Sequence, residues 1–600
     1  MWRPVFDRSL YLRAAEELRR NEGQWDAYES TDHCVVLAGP GSGKTKTLTI
    51  KLARILAEDV EEPRGVACIT YNNECVRELE RRLSALGVEQ GGRVFVGTVH
   101  SFSLTQIVLP YAATAGIDIP DEFRVASNRE QRGALERAFD SVIGGPENPH
   151  KLWRFRMDKY RRSILDRTSE KWRTEDVATA RLVVGYEEEL RDRGLIDFDD
   201  MPLLALTALQ QHDWLRRAIL AKYPVLVVDE YQDLGHALHA MVMELCFRTG
   251  IRLFAVGDPD QSIYGFTGAE PRLLRRLSER DDVEPVRLRL NYRSGSSIVA
   301  ASQYALCEAR DYEAWDGAEE GTIHFHPRGG DYQRQARYLF ETLLPAAFER
   351  QPELTPGRIA ILYPAAWIGD AVAEAARDHD FEFIRSDANA LYPRNSRVMR
   401  WLELCAVWCC GGWRSGSPRF AKIVHEGYRI FAEALTTEED RIAFQRSLLQ
   451  FLWDSRDTAR DLHNWLLQFR RDLLADLIAA CRTLDAEAEI VEAFLEKTAE
   501  DGAVQDMTLS QFSGQGEGTN QINLSTLHSA KGREFMLVVL FGIDEGALPR
   551  NHATANDIRE ARRLFYVGFT RAERELHIVH SRLNASRFIP DVRERLQEDA

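Results

Sequence analysis

Two clusters of residues in this chain have the types and spacing that phosphate chemistry needs. In the first, the apolar run Cys34-Val35-Val36-Leu37 leads into Ala38-Gly39-Pro40-Gly41-Ser42-Gly43-Lys44-Thr45 and then a helical stretch. Glycines here let backbone N–H groups close around phosphate oxygens at a helix N-terminus, while Lys44 reaches the β- and γ-phosphates and the Thr45 hydroxyl ligates Mg2+. Ala38 stands where the strict pattern has its first glycine, a minor departure. In the second cluster, the buried-strand run Pro224-Val225-Leu226-Val227-Val228 ends in Asp229-Glu230-Tyr231-Gln232-Asp233. Such a pair can divide the work of phosphoryl transfer to water: Asp229 holds the metal and Glu230 takes a proton from the attacking water. An isolated pair would read as two acids solvating a strand terminus; beside a phosphate loop the catalytic reading prevails.

These residues need strands behind them, and the hydrophobic pattern supplies two zones. Short apolar runs at 33–38, 65–70, 93–97, 224–228 and 251–256, then at 285–289, 322–326, 358–363, 521–526, 536–541 and 576–580, alternate with helical stretches. That alternation predicts α/β architecture, parallel sheets with helices on both faces. Two long helical stretches, 103–195 and 386–514, read as inserted subdomains, with the glycine-rich 513–519 as the hinge back to the second sheet.

Composition sets limits on partners. With 600 residues, 44% hydrophobic and 28% charged, the chain has the balance of a soluble globular protein of several compact units. No run approaches 18 apolar residues and the N-terminus carries charges where a signal peptide needs an apolar core, so the expectation is cytoplasmic, with no membrane contact. Nine scattered cysteines without paired C-x-x-C spacing argue against a disulfide framework or zinc site; Cys405, Cys409 and Cys410, set among Trp401, Trp408 and Trp413, read as core packing. A net charge of −16 excludes a protein coated in basic surface, so any nucleic-acid contact must be local. One candidate is 151–173, where nine Lys/Arg interleave with Trp153, Phe155, Tyr160 and Trp172. Such a run either binds phosphates and stacks bases or is a solvated helix over a core stripe.

A third strand, Ile251–Val256, runs into Gly257-Asp258-Pro259-Asp260-Gln261-Ser262-Ile263-Tyr264-Gly265-Phe266-Thr267. With Asp-Glu-x-Gln-Asp before it and Leu290-Asn291-Tyr292-Arg293-Ser294 after it, this segment resembles the UvrD/Rep/PcrA group of superfamily 1 helicases. Gln24, Thr70-Tyr71-Asn72-Asn73, Gly97-Thr98-Val99-His100-Ser101-Phe102, Thr526-Leu527-His528-Ser529-Ala530-Lys531-Gly532-Arg533-Glu534-Phe535 and the 562–572 segment ending in Thr570-Arg571-Ala572 complete the set in family order.

The resemblance implies two RecA-like P-loop domains, each interrupted by a mostly helical subdomain. The first comprises 1–102 and 196–275 with the insert 103–195, and the second comprises 276–385 and 515–600 with the insert 386–514. It implies an ATPase using ATP and Mg2+, with Gln261 sensing the γ-phosphate and Arg293 and Arg571 reaching in from the facing domain. For Arg571 a helix-surface ion pair with Glu573 or Glu575 is the bland alternative. Tyr292 would stack on adenine beside Lys46, Gln24 would bond its edge and Glu534 would meet the ribose. Tyr71, Tyr264 and Phe266 would hold bases of single-stranded DNA, while Thr98, His100, Thr526 and His528 would contact its backbone.

In this chain Phe266 replaces the usual Trp, Thr267 the usual Arg, Lys46 the usual Arg and Arg533 the usual Leu, and none removes a catalytic group. The expectation is a 3′–5′ single-stranded DNA translocase that acts at single-strand/duplex junctions and displaces a strand or a bound protein. The alternative is a nucleotide-gated DNA-binding sensor or loader serving a nuclease or a repair or defence factor.

Overall fold

The structure, a computed structural model, describes the chain except residues 1–7, 89–92, 118, 121–122, 266–267, 457–460, 503, 506, 515–519 and 599–600. Most of the 513–519 hinge therefore lies outside the described residues, as do Phe266 and Thr267. The chain divides into two units, Met1–Gly321 with Thr554–Tyr566 and Glu594–Ala600, and Thr322–Ala553 with Val567–Arg593.

The first unit is built on strands β1 (Cys34–Ala38), β2 (Val66–Thr70), β3 (Val94–Thr98), β4 (Val225–Val228), β5 (Arg252–Gly257) and β6 (Glu284–Leu288), paired in parallel in the order β3-β2-β4-β5-β1-β6. Because side chains alternate along a strand, Val35, Ile69, Leu226, Val228 and Leu253 enter one core while Val36, Cys68, Val225, Val227 and Phe254 enter another. Both faces are thus covered, which is why these strands read as continuous apolar runs. β6 corrects one expectation. It was assigned to the second zone, yet it pairs with β1 from Cys34↔Glu284 to Ala38↔Leu288. Only its Val286 and Leu288 are buried, packing with Val36 in the half-covered manner of an edge strand. Residues 276–321 accordingly belong to the first unit.

The first insert surrounds its own core of Leu135, Phe139, Met157, Tyr160, Trp172, Leu182 and Tyr186. Five arginines of its basic run are held by carboxylates, one of them in the core. Fully buried Arg161 donates to Asp197 at 2.8 Å, Asp200 at 2.5 Å and Glu187 at 2.6 Å. Arg154 pairs with Asp158, Arg156 with Asp176, Arg162 with Asp199 and Arg167 with Glu187. Of the two readings left open for 151–173, these pairs and the core positions of Tyr160 and Trp172 favour structure over phosphate binding.

The second unit carries β7 (Thr322–Arg328), β8 (Ile359–Tyr363), β9 (Phe383–Arg385), β10 (Ile522–Thr526), β11 (Phe535–Phe541) and β12 (Ala572–Ser581), all pairs parallel, in the order β7-β12-β11-β8-β10-β9. β7 and β12 share a polar row. Tyr338 meets His326 Nδ1 at 3.1 Å, His326 Nε2 meets His577 Nδ1 at 3.0 Å, and His577 Nε2 meets Glu575 Oε2 at 3.0 Å. Every bond is satisfied when both rings are neutral and donate from Nε2. Its insert closes around Trp401, Trp465, Phe469, Phe494 and Phe512, with Cys405 and Cys409 in the same core. Among the described residues no helix is long and apolar enough to cross a membrane.

Candidate nucleotide and nucleic-acid sites

The phosphate loop joins β1 to the helix Lys44–Arg54. Gly41 (φ +67°) and Gly43 (φ +82°) take left-handed conformations that residues with a Cβ avoid. The first helical bond of the new turn runs from Thr47 N to Gly43 O, so the N–H groups of residues 44–46 precede it and are available to an anion. Ser42 Oγ donates to Gly39 O at 2.7 Å and Lys44 Nζ to the same carbonyl at 3.4 Å. Lys44 Nζ also lies 3.9 Å from Asp258 Oδ2.

β4 delivers the acids. Asp229 N extends the ladder to Ile69 O at 2.9 Å and its side chain is buried. Burial and the neighbouring Glu230 push its carboxyl up to about 7, against the pull of Lys44. Glu230 sits at φ +51°, a left-handed position that a non-glycine residue occupies at a cost and that aims its side chain out of the strand direction. Gln232 Nε2 donates to Glu230 Oε2, while Gln232 Oε1 accepts from Asp258 N at 2.9 Å. Gln232 therefore bridges the ends of β4 and β5.

Asp258, which carried no role in the sequence reading, is fully buried and pushed up to about 6 by that burial. Its only sequence signal is an acid just past the apolar run 251–256, a strand that pairs directly with β1. Asp229 Oδ1 and Asp258 Oδ2 are buried oxygens without a hydrogen-bond partner among the described residues. Two such oxygens beside Lys44, with Thr45 on the same turn, fit a Mg2+-bound triphosphate, because Mg2+ prefers one or two carboxylates plus phosphate oxygens. Gln261 is buried on the turn that follows, its N–H donating to Asp258 O at 3.1 Å.

The base-side residues gather at the same loop. Gln24 is buried and donates from Nε2 to Ser42 O at 2.8 Å. Tyr292 is 41% exposed, and its hydroxyl accepts from Asn21 Nδ2 at 3.1 Å. Lys46 instead pairs with Glu17 at 2.6 Å. Arg293 follows a turn in which Asn291 Oδ1 accepts from Arg293 N and Ser294 N, and its Cβ lies against Gly41. It thus belongs to the unit that holds the phosphate loop, not to a facing one.

In the second unit Glu534 is exposed, and Arg533 donates to Asn523 Oδ1 at 2.5 Å and lies over the Phe535 ring. Arg571 is 1% exposed, with Nε on Val567 O at 3.0 Å and Nη1 on Arg533 O at 3.2 Å. The Arg571 guanidinium thus donates to two carbonyl oxygens and, from Nη2, to Thr570 Oγ1 at 3.3 Å, while Glu573 and Glu575 pair with Arg358 and Arg350.

For the nucleic-acid residues, the Tyr71 and Tyr264 rings stack at 5.2 Å and 25°. The Thr98 hydroxyl caps the turn after β3 by accepting from Ser101 N at 3.2 Å, and His100 meets Phe198 edge to face. The second unit repeats this Thr-x-His-Ser turn, with Thr526 Oγ1 accepting from Ser529 N at 3.3 Å. Burial together with Arg550 brings His528 down to about 4, so it is neutral at physiological pH.

Residues 20–281 match the UvrD/REP helicase N-terminal domain, and residues 429–582 match the UvrD-like helicase C-terminal domain. The chain belongs to the UvrD-like helicases. This UvrD-like helicase is 26% identical to the ATP-dependent DNA helicase Rep of Salmonella typhimurium, over 93% of its own length and 90% of Rep. It is 25% identical to the ATP-dependent DNA helicase PcrA of Bacillus subtilis, over 96% and 86% of the two chains. It is likewise 25% identical to DNA helicase II of Salmonella typhimurium, over 91% and 82%.

Proposed function

We propose that this DNA helicase, a DNA-dependent ATPase, is a motor that moves 3′ to 5′ along single-stranded DNA and displaces a complementary strand or bound protein. The observation that carries the proposal is continuity within the first unit. Lys44, Asp229 and Asp258 converge at the phosphate loop, Gln232 ties Glu230 to Asp258, and the turn from Asp258 through Gln261 leads directly to Tyr264, stacked on Tyr71. A change at the γ-phosphate thus has a short covalent and hydrogen-bonded route to residues that would hold bases.

In hydrolysis, Lys44 and the N–H groups of 44–46 would bind the β- and γ-phosphates, and Thr45, Asp229 and Asp258 would hold Mg2+. Mg2+, when bound, neutralises charge on the phosphates and orients them. Glu230, swung out by its left-handed backbone, takes the proton of the attacking water. Arg293 and Arg571 supply positive charge to the transferring group; for Arg571 this requires leaving the carbonyls of Val567 and Arg533. Tyr292 and Gln24 would contact the nucleoside, as would Glu534 and, on leaving Glu17, Lys46. Base stacking on Tyr71, Tyr264 and Phe266 tolerates any sequence, as a motor on arbitrary DNA requires. Thr98, His100, Thr526 and His528 contact the strand's backbone. The polarity rests on the family resemblance alone.

A gated, slowly hydrolysing sensor leaned on a shortened second insert and on the Phe266 and Thr267 replacements; these two lie outside the described residues, and the relatives matched over more than 90% of the chain carry the name ATP-dependent DNA helicase. Steady-state ATP hydrolysis with and without poly-dT tests the motor. Stimulation of tenfold or more, and displacement from 3′-tailed but not 5′-tailed duplexes, is expected. Hydrolysis indifferent to DNA would overturn it.

A further inference from the structure

The loop after the helix Ser296–Leu306 carries two side chains that neither the motifs nor the site above account for, Arg310 and Tyr312. Arg310 grips Asp260 with two bonds, Nε to Oδ2 at 2.6 Å and Nη2 to Oδ1 at 2.8 Å, in the fork geometry that fixes direction as well as distance. Its Nη1 donates to Ala309 O at 2.9 Å, so the loop is folded back on its own guanidinium. Asp260 is itself buried and lies between Asp258 and Gln261. Two residues further on, the Tyr312 ring presses on the phosphate loop: a Cβ built on Gly39 would fall 2.5, 2.7 and 2.9 Å from three of its ring carbons. Gly39 is the residue whose carbonyl receives both Ser42 and Lys44.

We propose that Arg310 and Tyr312 are positioning residues for ATP turnover, a strut that sets the spacing between the phosphate loop at Gly39 and the Asp258–Gln261 turn. Arg310 holds one end through Asp260, which Arg275 Nη2 also meets at 3.2 Å and the Tyr312 hydroxyl at 3.4 Å, and the Tyr312 ring bears on the other. The inference rests on the nucleotide site assigned under Proposed function. It explains why Gly39 must lack a side chain although its backbone is not left-handed: the space is taken by an aromatic ring rather than demanded by φ. Phosphate binding needs only the loop and the helix N-terminus, whereas turnover needs Asp258 and Gln261 at a fixed distance from Lys44. The strut therefore acts on kcat more than on KM. Displacements of about 1 Å in such arrangements cost on the order of 100-fold.

The test is a variant set assayed for DNA-stimulated hydrolysis per nucleotide-binding site, with sites counted by titration with a fluorescent ATP analogue. Tyr312→Ala and Arg310→Ala are expected to lower kcat per site about 10–100-fold with KM for ATP changed less than about threefold, and Tyr312→Phe, which keeps the ring, to restore the rate. Gly39→Ala is expected to cost far less in a Tyr312→Ala background than alone, because the three nearest atoms to the new methyl all belong to Tyr312. Unchanged kcat per site in Tyr312→Ala, or additive effects of the Gly39 and Tyr312 substitutions, overturns the strut while leaving the motor standing. Loss of binding sites at unchanged kcat per site would mark a purely structural role and equally overturn it. A wild-type chain that hydrolyses no ATP would instead remove the function on which the strut rests.

Discussion

The backbone N–H of Tyr292 donates to the carbonyl of Gly41 at 2.9 Å. That one bond fastens the segment bearing Arg293 to the phosphate loop, and a Cβ on Gly41 would meet Asn291 Oδ1 at 2.5 Å and Arg293 Cβ at 2.7 Å. Two strand-end loops of a single sheet therefore share a contact surface with no room for a methyl group.

Gly41→Ala tests that contact. The left-handed φ alone costs about 1–2 kcal/mol for a residue with a Cβ, and relieving the collision displaces Asn291 or the loop. The expected result is weaker ATP binding, at least about fivefold by the strain term. Binding equal to wild type in a nucleotide titration would show that the loop carries the same strain with and without ATP.

Glu230→Gln keeps the shape of the side chain and its amide partner Gln232 while removing the base. Nucleotide binding should persist and turnover should fall by about 10²–10⁴, read by phosphate release. Near-normal turnover would move the base elsewhere.

Tyr264→Ala opens the stacked pair. Loss of a base–aromatic stack is worth about 1–3 kcal/mol, so the poly-dT concentration for half-maximal stimulation should rise at least about fivefold. An unchanged midpoint would take Tyr264 off the DNA path.

The Tyr338–His326–His577–Glu575 row predicts acid sensitivity of the second unit. Burial and the nearby His577, His324, Arg328 and His580 bring His326 down to about 3. Bonds from His577 and Arg350 bring Glu575 down to about 2 despite burial. The unfolded chain therefore binds protons before the folded one does. This stability is present above about pH 6.5 and is lost as pH falls toward 3. Thermal melts at pH 7.5 and 5.0 should show a loss that shrinks in His326→Phe; an identical loss in the variant would place the sensitivity elsewhere.

Much of this was written in local sequence. The β1–β5 strands are apolar on both faces, and a glycine-rich loop after one strand and two acids after another are local signals that survive any tertiary context. What stayed hidden depends on who lies beside whom. β6 looks like any half-buried strand, and nothing in Glu284–Leu288 names the sheet it edges. Phe383–Arg385 is too short to show a period. Asp258, Gln232 and Tyr312 acquire meaning only because β4, β5 and β1 end side by side, and the inward turn of Arg571 depends on carbonyls 4 and 38 residues away in sequence. The arginines of 151–173 were visible, but their partners at 187, 197, 199 and 200 follow only from the way the insert's helices meet.

Those carboxylate-bound arginines bear on how the helicase would respond to ionic strength. Binding to nucleic acid gains entropy when cations on the protein displace condensed counterions, and for single strands the slope of log affinity against log salt is about −0.7 per phosphate neutralised. A guanidinium already held by a carboxylate displaces fewer. With Arg154, Arg156, Arg161, Arg162 and Arg167 so engaged, those five guanidiniums would add little to that release, which within 151–173 would fall to exposed cations such as Lys151, Lys159 and Arg173.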